Sequence, residues 1–174
     1  MRRTILILAA CAACMLAAAF SGAEGKPSLM LFDFEAAGDL AKWEAADADT
    51  SIVGDHATSG KSALKVTLKA AEYPGLTTTQ APNDWSAYKT LKFDVFADEG
   101  LTLHLRIDDA NSKDYTSRYN NDDISINKGA NAVSIDLADV GGKIDLKKIK
   151  MLILFGSNVA KPVTFYLDNV RLEK

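Results

Sequence analysis

Apolar and polar residues alternate singly along much of the chain. In residues 62–69 (SALKVTLK), Leu64, Val66 and Leu68 fall on one side and Lys65, Thr67 and Lys69 on the other. In residues 101–108 (LTLHLRID), Leu101, Leu103, Leu105 and Ile107 oppose Thr102, His104, Arg106 and Asp108. A period of two is what a strand with one face in the core and one in water requires. Further strand-like segments cover 29–35, 50–53, 76–80, 91–97, 114–120, 124–127, 132–137 and 163–172, separated by turn formers such as Gly54-Asp55, Pro74-Gly75 and Gly141-Gly142. Residues 150–155 (KMLILF) are apolar on both faces, which predicts a strand at the centre of its sheet. Only 39–45 and 144–149 suit a helical turn or two, and strands do not alternate with helices as in a parallel sheet. About ten short strands in one domain predict an all-β fold, a two-sheet antiparallel sandwich over residues 29–174.

The first residues break this pattern. Arg2 and Arg3 precede an uncharged run from Thr4 to Phe20, and Ser21-Gly22-Ala23 supplies small residues before a cut. This is the three-part arrangement of a secretory signal peptide over 1–23, followed by a short linker over 24–28. The competing reading, a membrane span, needs a run of roughly 20 strongly apolar residues, and this one is alanine-rich. A lipoprotein cut leaving Cys11 at the new terminus is a further alternative. Cleavage after Ala23 leaves 151 of 174 residues and removes both cysteines, Cys11 and Cys14. The domain then has no disulfide, no thiol nucleophile and no thiolate metal site. The expected destination is secreted or periplasmic, with no membrane span after cleavage.

Charge and chemistry narrow the function. Twenty basic against 23 acidic residues give a net charge of −3, which argues against nucleic acid as a partner. The chain has two histidines and lacks a Gly-x-Ser-x-Gly elbow, a His-Glu-x-x-His pair and a phosphate-cradling glycine loop. The acid pairs Asp108-Asp109 and Asp122-Asp123 leave a small glycan-active enzyme as an alternative, although such pairs more often cap turns. On the first strand Asp33 and Glu35 point the same way, and Asp168 lies in the apolar last strand. If those strands are neighbours, Glu35 and Asp168 either converge on Ca²⁺ or are partly exposed carboxylates bonded to main-chain N–H groups or to Arg171.

The segments LFDFE, TSGKSALKV, DWSAYKTLKFDVF, LRIDD, IKMLILF and VTFYLDNVRL, together with Trp43, resemble the carbohydrate-binding modules of the galactose-binding-like jelly-roll superfamily over about residues 29–172. The resemblance implies a jelly roll that is not an enzyme, a polysaccharide or oligosaccharide partner, and a structural Ca²⁺ held by Glu35, the Lys61 carbonyl and Asp168. It also implies a sugar laid across the concave sheet. Alternation then offers Lys92, Asp94 and Phe96 beside His104, Arg106 and Asp108, with Arg118 and Asn120 or else Tyr115 and Tyr119 from the next strand. Hydroxyls suit such planar polar groups. The same row also suits a solvated face with ion pairs such as Arg106 to Asp94. Trp85 and Trp43 are either sugar platforms or lids on the core, and Tyr73 is the loop aromatic suited to a rim. The alternative function is a cell-envelope structural or protein-interaction sandwich.

Overall fold

The structure is a computed structural model that describes residues 28–174; the expected signal peptide and most of the linker lie outside the described residues. Eleven strands run in chain order as β1 (Ser28–Phe32), β2 (Glu44–Ala46), β3 (Ala48–Val53), β4 (Ala63–Leu68), β5 (Gly75–Thr78), β6 (Thr90–Ala97), β7 (Leu101–Asp109), β8 (Tyr119–Ile126), β9 (Gly129–Asp136), β10 (Ile149–Phe155) and β11 (Val163–Glu173). One short helix, α1 (Leu137–Gly141), and two 3-10 turns, Ala37–Lys42 and Tyr115–Ser117, complete the described elements. All pairings are antiparallel. The first sheet has the order β3-β4-β11-β6-β9, with β1 also on β11, and the second has β2-β5-β10-β7-β8.

The alternation read from the sequence is the one that builds the core. Leu64, Val66 and Leu68 of β4 and Phe93 and Val95 of β6 are buried from the first sheet. Leu103, Leu105 and Ile107 of β7 and Leu152 and Leu154 of β10 meet them from the second, in one continuous cluster. Strand β10 is central in its sheet, as its two apolar faces require. Of the two expected helical turns, 39–45 overlaps the 3-10 turn Ala37–Lys42, and 144–149 does not form one. Residues 144–149 lead into β10, while the helix forms at Leu137, where Asp136 caps it by accepting from the Ala138 N–H. The segment 114–120 is not one strand. Asp114 caps a 3-10 turn by accepting from the Thr116 and Ser117 N–H groups, and β8 starts only at Tyr119.

Two expectations about faces are corrected here. Lys92, Asp94 and Phe96 sit on β6, in the first sheet, so they face away from the side that carries His104 and Arg106. The ion pair of Arg106 with Asp94 therefore does not form. Trp85 is not a sugar platform: it is 0% exposed, and its indole N–H donates to the Pro82 carbonyl at 2.7 Å. A ring of that size beside a strand gains most by closing the core. Trp43 is likewise buried, edge-on to Phe32 at 5.0 Å.

Candidate functional site

Strand register brings the outward residues of the second sheet into two parallel rows. Ala46 of β2 lies opposite Gly75 of β5, Gly75 opposite Phe155 of β10, and Phe155 opposite His104 of β7. Two residues along, Thr77 lies opposite Ile153, Ile153 opposite Arg106, and Arg106 opposite Asn120 of β8. These rows floor a groove of about 540 Å³ that crosses all five strands. Five strands about 4.8 Å apart span roughly 19 Å, enough for several linked pyranose rings.

One half of the groove is aromatic. The Phe155 ring stacks on His104 with centroids 5.0 Å apart and meets Tyr73 edge-on at 6.2 Å. Gly75 permits this arrangement, because a Cβ there would come within 2.5 Å of the Phe155 Cβ. The other half is polar. Arg106 donates through Nε and Nη2 to both oxygens of Asp108, at 2.7 and 2.6 Å. That hydrogen-bonded carboxylate raises the guanidinium's pKa above its ordinary value. Arg118 donates from Nε to Asn120 Oδ1 at 3.0 Å, with its guanidinium 5.2 Å from the centre of the Tyr115 ring. The Tyr115 hydroxyl donates to Asp122, and that bond raises its pKa. Asp122 also lies 3.7 Å from His104 Nδ1.

Of the residues read from the sequence as ligand-binding, His104, Arg106, Tyr115 and Arg118 line the groove. Asp108 does not line it; it is 5% exposed and acts through Arg106, because an acid buried this deep needs the paired cation. Arg118, Asn120 and Tyr115 come together because the 3-10 turn folds Tyr115 back beside β8, whereas Tyr119 packs against the core. Tyr73 stands at the rim. Phe155 and Ile153 also line the groove and are not among the residues the sequence singles out; the two apolar faces of KMLILF place the strand at the centre of its sheet without marking its outward side as a binding surface.

The residues expected to hold calcium lie on the other sheet's side. Strands β1 and β11 are neighbours, as that expectation needed. Glu35 Oε1 accepts the Lys61 and Ser62 N–H groups at 2.7 and 2.8 Å, and Asp168 Oδ2 accepts those of Thr58 and Ser59 at 2.7 and 2.9 Å. Gly60, at φ +67°, lets the loop wrap around the Glu35 carboxylate. At Lys61 the main-chain N–H, not the carbonyl, meets Glu35. As placed, Glu35 and Asp168 take up main-chain N–H groups, the alternative to Ca²⁺ read from the sequence.

A two-sheet sandwich with a ring-lined groove across one sheet defines a jelly-roll carbohydrate-binding domain. The family model for carbohydrate binding domain 30 matches residues 33–174, and the chain belongs to that family. Among solved structures it is similar to the family 11 carbohydrate-binding module of Clostridium thermocellum in complex with a β-1,3-1,4-mixed-linked tetrasaccharide. That match has a TM-score of 0.67 and 19% identity, covering 84% of this chain and 95% of that one. The family 30 module of a cellulosomal cellulase from the same organism matches with a TM-score of 0.64 and 14% identity, over 85% and 98% of the two chains. An exo-β-agarase matches at 0.68 and 19% identity, with 83% of this chain spanning 25% of that larger one. At these identities the likeness shows the shared fold. No curated protein sequence matches the chain. Among the described residues no helix is long and apolar enough to cross a membrane.

Proposed function

We propose that the protein is an exported, non-catalytic module that binds a polysaccharide or oligosaccharide along the groove of the second sheet. The observation that carries this reading is the pair of rows crossing five strands, with Tyr73 and Tyr115 at the edges, each 59% exposed. The apolar C–H face of a pyranose stacks on rings such as Phe155 and Tyr73, and its hydroxyls are met by the Arg106, Asn120 and Asp122 side chains. Asp122 is the one acid among the residues lining the groove, whereas glycoside hydrolysis ordinarily takes two carboxyl groups flanking the bond. Export rests on residues 1–23 and places the domain in the periplasm or outside the cell.

Affinity electrophoresis through gels carrying soluble polysaccharides tests the reading. The protein is expected to be retarded by at least one glycan. Phe155→Ala and Arg106→Ala are each expected to weaken that binding at least about tenfold, or roughly 1.4 kcal/mol. No retardation on any glycan, or variants that bind as the wild type does, would refute it and leave an envelope interaction or structural sandwich.

A further inference from the structure

Resting on the groove reading, we propose that the bound glycan carries anionic groups, carboxylate or sulfate, and that Arg118 is the residue that receives them. The described chain has three arginines, and two of them spend their cationic forks on acids. Arg106 grips Asp108, and Arg171 bonds Glu173 at 2.9 Å and lies 3.9 Å from Asp94. Arg118 has no acidic oxygen within 4.0 Å among the described residues, in a chain where acids outnumber bases.

Its guanidinium is nevertheless held in place. The Nε–H bond to Asn120 Oδ1 sets its rotation, and the Tyr115 ring lies against it. Asn120 is anchored in turn, its side-chain amide N–H donating to the Tyr115 carbonyl at 3.2 Å. The turn beneath is tied at both ends, with Asp114 accepting from Thr116 and Ser117 and the Ser117 hydroxyl accepting from Lys113 and Asp114. Both terminal nitrogens of Arg118, with four N–H groups, have no partner among the described residues and stand at the groove wall. A fixed, planar cation with its outer edge open matches the two oxygens of a carboxylate or sulfate in a way a lysine does not. Preorganisation of this kind lowers the cost of ordering on binding. No lysine lines the groove; a separate cleft carries Lys147, Lys148 and Lys150 and is the competing place for a polyanion.

The test compares polygalacturonate (carboxylate), carrageenan (sulfate), and two neutral glycans, mixed-linkage β-glucan and agarose, in affinity electrophoresis. Wild type is expected to bind at least one of the anionic polymers more tightly than either neutral one, and the anionic arm that is retarded identifies the group. Arg118→Gln is expected to lose at least about tenfold in that affinity, and Arg118→Lys, which keeps charge without the fork, to fall between. The double variant Lys147→Gln/Lys150→Gln is expected to bind as wild type, and thermal melts check that each variant is folded. Preference for a neutral glycan, with binding lost in Phe155→Ala, overturns the anionic inference and leaves the groove reading standing. Loss in the lysine variant with Arg118→Gln unaffected overturns it by moving the polyanion to the other cleft. No retardation on either anionic polymer overturns the anionic inference, whereas the groove reading falls only if the wider glycan screen is also negative.

Discussion

Asp109 ends β7 and is 4% exposed, yet it is charged, and the cost of its removal can be worked from its bonds. Oδ1 accepts the Asn111 N–H at 2.8 Å and the Ser112 hydroxyl at 3.0 Å, and Oδ2 accepts the Asp145 N–H at 2.8 Å. The last bond joins the end of β7 to the segment leading into β10, the two strands that carry Arg106, His104 and Phe155. Burial pushes the pKa of this carboxyl up, but the bonds from Asp145, Asn111 and Ser112 outweigh it and hold the group below its ordinary value. Asp109→Ala leaves three donors without their acceptor. At about 1 kcal/mol for each, the loss is about 3 kcal/mol. For a domain of this size that lowers the melting temperature by about 6–12 °C at pH 7. A depressed folded-state pKa contributes stability above the unfolded value and loses it as pH falls through the folded one. The gap between wild type and Asp109→Ala is therefore expected to narrow below about pH 4, a trend that scanning calorimetry at pH 7 and pH 3 reads directly. A variant melting within about 1 °C of wild type at pH 7, or a gap that widens in acid, would refute the reasoning.

Two other measurements address the far sheet. Gly60→Ala puts a Cβ 2.4 Å from Glu35 Oε1 and an alanine at φ +67°. It is expected to cost about 2 kcal/mol, visible as a melting point lowered by roughly 4–8 °C; an unchanged melt would mean the loop relaxes freely. Excess chelator is expected to leave the melting temperature unchanged, because Glu35 and Asp168 already bond main-chain N–H groups. A fall in chelator that added Ca²⁺ reverses would instead establish the ion that the family resemblance implies.

The fold was legible because burial imposes period two strand by strand: β4 and β7 show it directly, and KMLILF announced a central strand. Strand β2 was not legible, since all three of its residues are exposed and carry no alternation. Alternation sorts one strand's residues into two sides but does not say which sheet the strand joins. That is why Lys92, Asp94 and Phe96 were grouped with His104 although β6 and β7 lie in different sheets. Arg118 and Tyr115 share the groove only through the Asp114 cap, a local competition between side chain and strand ladder that the aromatic and threonine content of 114–120 concealed. Trp85 went to the interior because its one polar atom found a carbonyl three residues away.

The pairing of β1 with β11 sets Ser28 across from Glu173, on the sheet that does not carry the groove. A tether fused before Ser28 or after Glu173 therefore leaves from a strand end of the sheet opposite the groove. Immobilised on a bead or sensor chip by either attachment point, the domain would be held by strands that take no part in the groove, so capture need not disturb the face that meets a polymer.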